Sequence, residues 1–228
     1  VVFVTHQGQL LTMGGGRAGQ LGHGPSVQNS SKPLIVNSGD LRADDFIISA
    51  VAGASHTVAC TRKEWGKSVC SGAEKAINRV YAFGGNAHGQ LGLGAGYASS
   101  QMVDVPRLVA CGLGKRTLTR PLEPDCAHCD KVDAGAHHTL ALAHGGLVFV
   151  WGSNQYGQLG DDGNATIRHE PSMIVALRKE FVTDIAAGDM HNVVVTSAGD
   201  IWSWGRGSEG QLGHGTLSHE KMPRLLTR

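Results

Sequence analysis

The stretch Trp151-Gly-Ser-Asn-Gln-Tyr-Gly-Gln-Leu-Gly-Asp-Asp162 decides the fold, because the chain carries it in four versions. The others are Met13-Gly-Gly-Gly-Arg-Ala-Gly-Gln-Leu-Gly-His-Gly24, Phe83-Gly-Gly-Asn-Ala-His-Gly-Gln-Leu-Gly-Leu-Gly94 and Trp204-Gly-Arg-Gly-Ser-Glu-Gly-Gln-Leu-Gly-His-Gly215. Each holds Gly-Gln-Leu-Gly, and Gln20, Gln90, Gln158 and Gln211 are spaced by 70, 68 and 53 residues. A second signature, Gly-x-x-His, occurs as Gly53-Ala-Ser-His56, Gly135-Ala-His-His138 and Gly188-Asp-Met-His191. The two interlock: Gly135 to Gln158 and Gly188 to Gln211 are both 23 residues, whereas Gly53 to Gln90 is 37. That excess falls within residues 62–79, and a second one, near 111–130, stretches the gap from Gln90 to Gly135 to 45 residues. Self-similarity at a fixed period marks a repeat architecture. The unit here is the 53-residue one, giving units of roughly 1–52, 53–134, 135–187 and 188–228 in a single domain.

Strand signals recur in fixed order inside each unit. Val1 to Thr5, Thr57 to Thr61, Thr139 to Ala143 and Asn192 to Thr196 come first. A short turn follows, such as Ser197-Ala198-Gly199-Asp200. Then come Leu10 to Met13, Val80 to Phe83, Leu147 to Trp151 and Ile201 to Trp204, so each pair reads as a hairpin. A proline-led run follows the Gly-Gln-Leu-Gly turn, at Pro33, Pro106, Pro171 and Pro223, where proline suits the start of an edge-like strand. The unit closes with Phe46 to Val51, Val132 to Ala134 or Val182 to Ala187. Four short strands per unit of about 50 residues describe one propeller blade. The fold class expected is an all-β propeller with almost no helix.

Composition agrees. Glycine is abundant, 33 residues of 228, with no collagen period, which means many tight turns. The net charge of +1 supplies no basic excess for a phosphate backbone. No apolar run reaches the ~20 residues of a membrane span, and no signal peptide is expected, since no charged segment followed by an apolar run stands at Val1 onward. Five scattered cysteines, an odd number, suit a reduced intracellular protein, cytoplasmic or nuclear.

These motifs carry a resemblance to the RCC1 (regulator of chromosome condensation) repeat, whose pattern runs Trp-Gly, Gly-Gln-Leu-Gly, a proline and Gly-x-x-His. It covers nearly the whole chain apart from the insertions. WD40 repeats fit worse, because no Trp-Asp dipeptide ends a strand; Kelch repeats share the glycine pair but not these two signatures. Met13 and Phe83 stand where tryptophan is usual. The resemblance implies about four blades of a ring that in the family has about seven. A piece of a longer ring is the plainest reading; a small closed ring, or a half-ring completed by a second chain, are the alternatives.

What the resemblance implies for function is a protein–protein interaction scaffold. The alternative is guanine-nucleotide exchange on a Ran-like small GTPase, with chromatin association. Neither requires a catalytic constellation or a cofactor, so the chain is not read as an enzyme. The partner is another protein, a small GTPase being one candidate; nucleic-acid contact has no support, and no membrane contact is expected. Light sensing, which needs clustered tryptophans, is set aside: Trp151 and Trp204 are repeat positions, leaving only Trp65 and Trp202.

The repeated residues are read as structural. Gly19, Gly89, Gly157 and Gly210 suit left-handed turns, and Gln20, Gln90, Gln158 and Gln211 satisfy turn amides. His56, His138 and His191 recur with the blades, so buried inter-blade hydrogen bonding explains them better than catalysis. Cys126-Ala-His-Cys129 has only His128 and Cys111 to complete a metal site, so it is read as two loop thiols with no metal. Specific recognition needs something that occurs once. The insertions offer that: Lys63 and Trp65 in the first, Arg116 and Arg120 in the second, are the expected partner-binding residues. Lys115, Arg116, Arg120 and Lys131 also form a basic cluster, blunted by Asp104, Glu123, Asp125 and Asp130.

Overall fold

The computed structural model describes residues 1–61, 64–67, 74–110 and 129–227, with 64–67 and 74–77 as backbone only. Its elements are strands: β1 (Val2–Val4), β2 (Leu10–Gly15), β3 (Asn29–Ile35), β4 (Ile47–Ala52), β5 (His56–Thr61), β6 (Glu64–Lys67), β7 (Glu74–Ile77), β8 (Val80–Gly85) and β9 (Met102–Leu108). There follow β10 (Cys129–Ala134), β11 (His138–Ala143), β12 (Leu147–Ser153), β13 (Ile167–Met173), β14 (Val182–Ala187), β15 (His191–Thr196), β16 (Ile201–Gly205) and β17 (Glu220–Leu225). Helix is confined, among the described residues, to single 3-10 turns at Ala95–Tyr97 and Val175–Leu177.

The strands form antiparallel blades in the orders β1-β2-β3, β4-β5-β8-β9, β10-β11-β12-β13 and β14-β15-β16-β17. The strands β4, β10 and β14 lie beside one another at the inner end of the blades, and β1 also packs on β4. The all-β propeller architecture is therefore observed.

Two features depart from the strand-by-strand expectation. First, sequence units and sheets are out of phase. Ile47–Ala52 closes the first unit in sequence, yet it hydrogen-bonds to β5 of the next, pairing Val51 with Val58. The strands β10 and β14 do the same with β11 and β15. Each of the first three units thus donates its last strand forward.

Second, the prolines do not begin strands. Pro33, Pro106, Pro171 and Pro223 lie inside β3, β9, β13 and β17. In β13, Ser172 pairs with Val150 and Arg168 with Gly152, so His169, Glu170 and Pro171 stand opposite Trp151 alone. The same shift occurs opposite Met13, Phe83 and Trp204. A bulge leaves backbone groups out of the ladder, which is where a residue without an N–H costs nothing.

The core lies between successive sheets. Leu10, Ile47, Ala59 and Phe83 fill the first interface. Val58, Val80, Leu91, Phe149 and Trp151 fill the second. Leu140, Val150, Leu159, Val194 and Trp204 fill the third. A sheet covered on both faces buries both sets of its alternating side chains, so β5, β8 and β11 are buried at every position.

Cys129 corrects the reading of two loop thiols. It opens β10, is 1% exposed, and packs in the core beside the buried Cys60. Its hydrogen bond to the Cys60 thiol, together with burial, pushes its own thiol well above the usual range. Cys111, Cys126 and His128 lie outside the described residues.

Candidate functional site

The repeated motifs meet at the blade interfaces and form one lock per interface. In each Gly-Gln-Leu-Gly turn the glutamine folds back on its own loop. Gln20 Oε1 accepts from the Ala18 N–H (2.9 Å), Gln90 from His88 (2.9 Å), Gln158 from Tyr156 (2.8 Å) and Gln211 from Glu209 (2.8 Å). Gly19, Gly89, Gly157 and Gly210 sit at φ +81°, +70°, +82° and +76°, the left-handed region. The leucines Leu21, Leu91, Leu159 and Leu212 are buried.

The glutamine main-chain carbonyl faces the next blade. Gln90 O accepts from Thr139 Oγ1 (2.9 Å) and Trp151 Nε1 (2.8 Å). Gln158 O accepts from Asn192 Nδ2 (2.8 Å) and Trp204 Nε1 (3.0 Å). Gln20 O accepts from Thr57 Oγ1 at 2.9 Å, and Phe83, at the tryptophan position, has no indole N–H to add.

The histidines complete the lock. His56 Nε2 lies 3.0 Å from Thr139 Oγ1, and His138 Nε2 lies 2.7 Å from Asn192 Oδ1. The Thr139 hydroxyl proton is already given to Gln90 O, so its oxygen must accept from His56 Nε2–H. Asn192 gives its amide hydrogen to Gln158 O, so its Oδ1 accepts from His138 Nε2–H. Both rings therefore carry a proton on Nε2, and each Nδ1 is buried with no hydrogen-bond partner to take a second one, which favours the neutral form. Burial, followed by the neighbouring rings of His138 and His137, lowers His56 to about 3. Burial lowers His138 to about 4, against the opposing hydrogen bond to Asn192. His191, in the last blade, is half-buried and is lowered by burial with Asp189 opposing. The glycine of Gly-x-x-His is sterically required: a Cβ on Gly53, Gly135 or Gly188 would enter the ring of its own histidine.

The first insertion contains a structure that its polar composition does not announce. β6 and β7 form a separate two-stranded sheet, with Glu64 opposite Ile77 and Trp65 opposite Ala76. This arm leaves the second blade between β5 and β8, and its base is clamped. Arg79 and Asp45, whose side chains are 7% and 1% exposed, form an ion pair at 2.7 Å. Tyr81 donates to the other carboxylate oxygen of Asp45 at 2.6 Å. Burial, followed by the Asp45 carboxylate, pushes the Tyr81 phenol upward, so it stays a donor. Asn78 Nδ2 donates to the Cys129 carbonyl of the third blade at 2.7 Å.

Of the expected partner-binding residues, the structure places Trp65 on β6. Lys63, Arg116 and Arg120 lie outside the described residues, as does Lys115. The basic cluster loses Lys131 to pairing, for its ammonium meets Asp184 Oδ1 at 2.5 Å and holds that carboxyl below its usual range. Sequence reading overlooks a further set, His88, Tyr156, His219 and Lys221, which line a rim groove. The available signal is the residue before each turn glycine, Ala18, His88, Tyr156 and Glu209, which does not repeat. Among the described residues there is no helix long and apolar enough to cross a membrane, and no group of three or more metal-ligating side chains.

Comparisons with known proteins extend this picture. The family model described as "Regulator of chromosome condensation (RCC1) repeat" matches residues 7–60, 78–142, 145–195 and 198–228. A second model of the same description matches residues 129–158 and 182–211. The chain is 30% identical to the human E3 ubiquitin-protein ligase HERC2 over 96% of its own length and 4% of that protein. It is 31% identical to the human probable E3 ubiquitin-protein ligase HERC6, over 99% of this chain and 19% of that one. It is 32% identical to the mitochondrial RCC1 domain-containing protein RUG3 of Arabidopsis thaliana, over 97% and 43%. The chain thus spans less than half of each of these relatives. Among solved structures, human WBSCR16 superposes on all of the chain with a TM-score of 0.77 at 25% identity, using 50% of its own length. Prp20p from Saccharomyces cerevisiae, described with its binding properties to Gsp1p and histones, superposes with a TM-score of 0.72 at 21% identity, over 100% and 48%. That likeness concerns the fold.

Proposed function

Because this chain belongs to the RCC1 repeat family, we propose that it is a protein–protein interaction scaffold whose blades present a clamped β-arm to a partner. The observation that carries this reading is the arm's base. A solvated loop needs no internal anchor. Here a buried arginine–carboxylate pair, a tyrosine and a cross-blade asparagine converge on Asn78 and Arg79, immediately after β7. A buried pair of this kind costs desolvation, and its return is a fixed geometry. Fixing the base of a short β-hairpin lowers the entropy lost when it engages a partner. Trp65 is the aromatic on the arm, a residue type favoured at interface anchors. Lys63 beside it, and Arg116 and Arg120 in the second insertion, supply the polar rim in this proposal. The ligase relatives, in which segments like this one make up only part of a long chain, suit a recruiting role.

The finer alternative is that the partner is a small GTPase whose nucleotide the arm helps to release. Exchange needs no proton transfer, only tighter binding to the nucleotide-free form. Prp20p, described with Gsp1p binding, shares the fold.

The test replaces residues 62–77 by the short turn His144-Gly145-Gly146 that joins β11 to β12, keeping Asn78 and Arg79. Partners captured by the parent and trimmed proteins are then compared by quantitative mass spectrometry, with melting curves as the folding control. The scaffold reading expects the trimmed protein to fold and to lose the parent's specific partners. Identical recovery of those partners refutes the arm's role. Release of a fluorescent nucleotide from a Ran-like GTPase, measured with a catalytic quantity of the parent chain, separates exchange from binding alone.

A further inference from the structure

A groove on the rim, lined by the second, third and fourth blades, has no part in the arm. It is open to solvent and has a volume of about 490 Å3, within the ~300–1,000 Å3 range of ligand sites. Its walls come from three blades: His88 from the turn after β8, Asn154 and Tyr156 from the turn after β12, and His219 and Lys221 at β17. The ring of His219 meets the Tyr156 ring edge-on, centroids 5.2 Å apart at 79°. The backbone N–H of Gly207 donates to His219 Nδ1 at 3.1 Å, so the neutral ring carries its proton on Nε2. The Arg206 guanidinium stands 5.8 Å from the Tyr156 ring centroid, braced by Ser208 and Glu209. His88 packs on His137 at 4.5 Å. Lys221 is exposed, and among the described residues its ammonium has no carboxylate partner. No aspartate or glutamate lines the groove.

We propose that this groove binds a short, extended, acidic segment of a partner protein. The carboxylates face Lys221 and the His219 Nε2–H, and the side-chain amides of Gln155 and Asn164 read the peptide backbone, while the Asn154 amide holds its own loop. Tyr156 and His88 give the intervening apolar side chains a surface to lie on. The carrying argument is charge complementarity: Lys221 is the cation of the lining, the His219 Nε2–H and the side-chain amides add donors beside it, and the lining holds no carboxylate. A nucleic-acid strand fits less well. It needs several cations along its path, whereas Asp161 and Glu209 flank the groove, paired to Arg168 and Arg206, and the chain's net charge is only +1. The proposal rests on the binding-module reading but not on the arm, so trimming residues 62–77 leaves it intact.

The experiment measures fluorescence anisotropy of a labelled octapeptide of alternating aspartate and leucine against the whole chain. An asparagine–leucine analogue and a single-stranded oligonucleotide of the same length are run beside it. The acidic peptide is expected to bind, to weaken with added salt, and to bind as tightly to the arm-trimmed protein. Lys221→Glu is expected to weaken it by about ten-fold or more, while Lys179→Glu, at an exposed lysine outside the groove lining, leaves it unchanged. Melting temperatures establish that each variant is folded. Equal binding of the asparagine analogue, tighter binding of the oligonucleotide, or full binding by Lys221→Glu overturns the proposal. If the acidic peptide behaves as expected while trimming abolishes no partner, the groove stands and the arm falls.

Discussion

Lowering the pH from about 7.5 to about 5 is expected to remove about 4 kcal/mol of stability through His56 and His138 alone. Both rings are fully buried, and both act as neutral Nε2–H donors across a blade interface. Their folded values, about 3 and about 4, lie below the unfolded 6.5. The unfolded chain therefore binds the extra protons. The stability these groups contribute is fully present above the unfolded value and drains away as pH falls towards the folded ones. At about pH 5 the unfolded histidines are almost fully charged and the folded ones almost fully neutral. Each then costs about 1.4 kcal/mol per pH unit over about 1.5 units, or about 2 kcal/mol. Two such groups remove a large share of a stability that is typically about 5–15 kcal/mol. The assay is urea unfolding followed by tryptophan fluorescence, since Trp151 and Trp204 are buried, repeated at several pH values. His56→Gln keeps an N–H donor for Thr139 but does not titrate. Whatever it does to stability at neutral pH, it should reduce the loss on acidification by the share of His56, about 2 kcal/mol over this interval. An unchanged slope in that variant, or stability that rises on acidification, refutes the reasoning.

Two glycines of the same motif should respond differently to alanine. At Gly157 a Cβ would stand 2.6 Å from the Lys221 Cα, whereas at Gly210 its nearest neighbour is Leu217 Cδ2 at 3.7 Å. Gly210→Ala then carries only left-handed strain, about 1–2 kcal/mol, and Gly157→Ala that strain plus a backbone displacement; equal shifts in melting temperature would contradict the geometry. Arg79→Leu leaves the Asp45 carboxylate buried with only Tyr81 and a backbone N–H as partners. It is expected to cost about 3–5 kcal/mol by calorimetry, and a near-neutral result would mean that the carboxylate rehydrates.

The parts of the fold legible in the sequence are those set by local chemistry repeated in register. Gly-Gln-Leu-Gly and the strand pair before it mark every blade, because each copy must solve the same turn and the same packing. The strand donated forward is not legible, because pairing of Val51 with Val58 and pairing within the earlier unit look alike in the pattern of side chains. The proline bulges are hidden for a related reason: three residues opposite Trp151 disturb the period of two on which strand reading depends. The β6–β7 arm shows no apolar alternation, since Glu64, Gly66 and Lys67 surround its one tryptophan. The rim groove draws on residues 133 apart, His88 and Lys221, at positions that vary from copy to copy.

The forward donation of β4, β10 and β14 bears on how such an array changes over evolutionary time. A gene rearrangement that inserts or excises one interior unit leaves no orphaned sheet edge at the junction. The strand handed on by the preceding unit meets a hairpin of the same pattern in whichever unit now follows. Blade number can therefore drift by whole steps while every ladder stays paired, and insertions such as the β6–β7 arm travel with the unit that carries them. A backbone nick between β4 and β5 is tolerated for the same reason. The two fragments stay joined by the ladder from Ile47–Thr61 to Ala52–Thr57 and by the hydrophobic seam beside it.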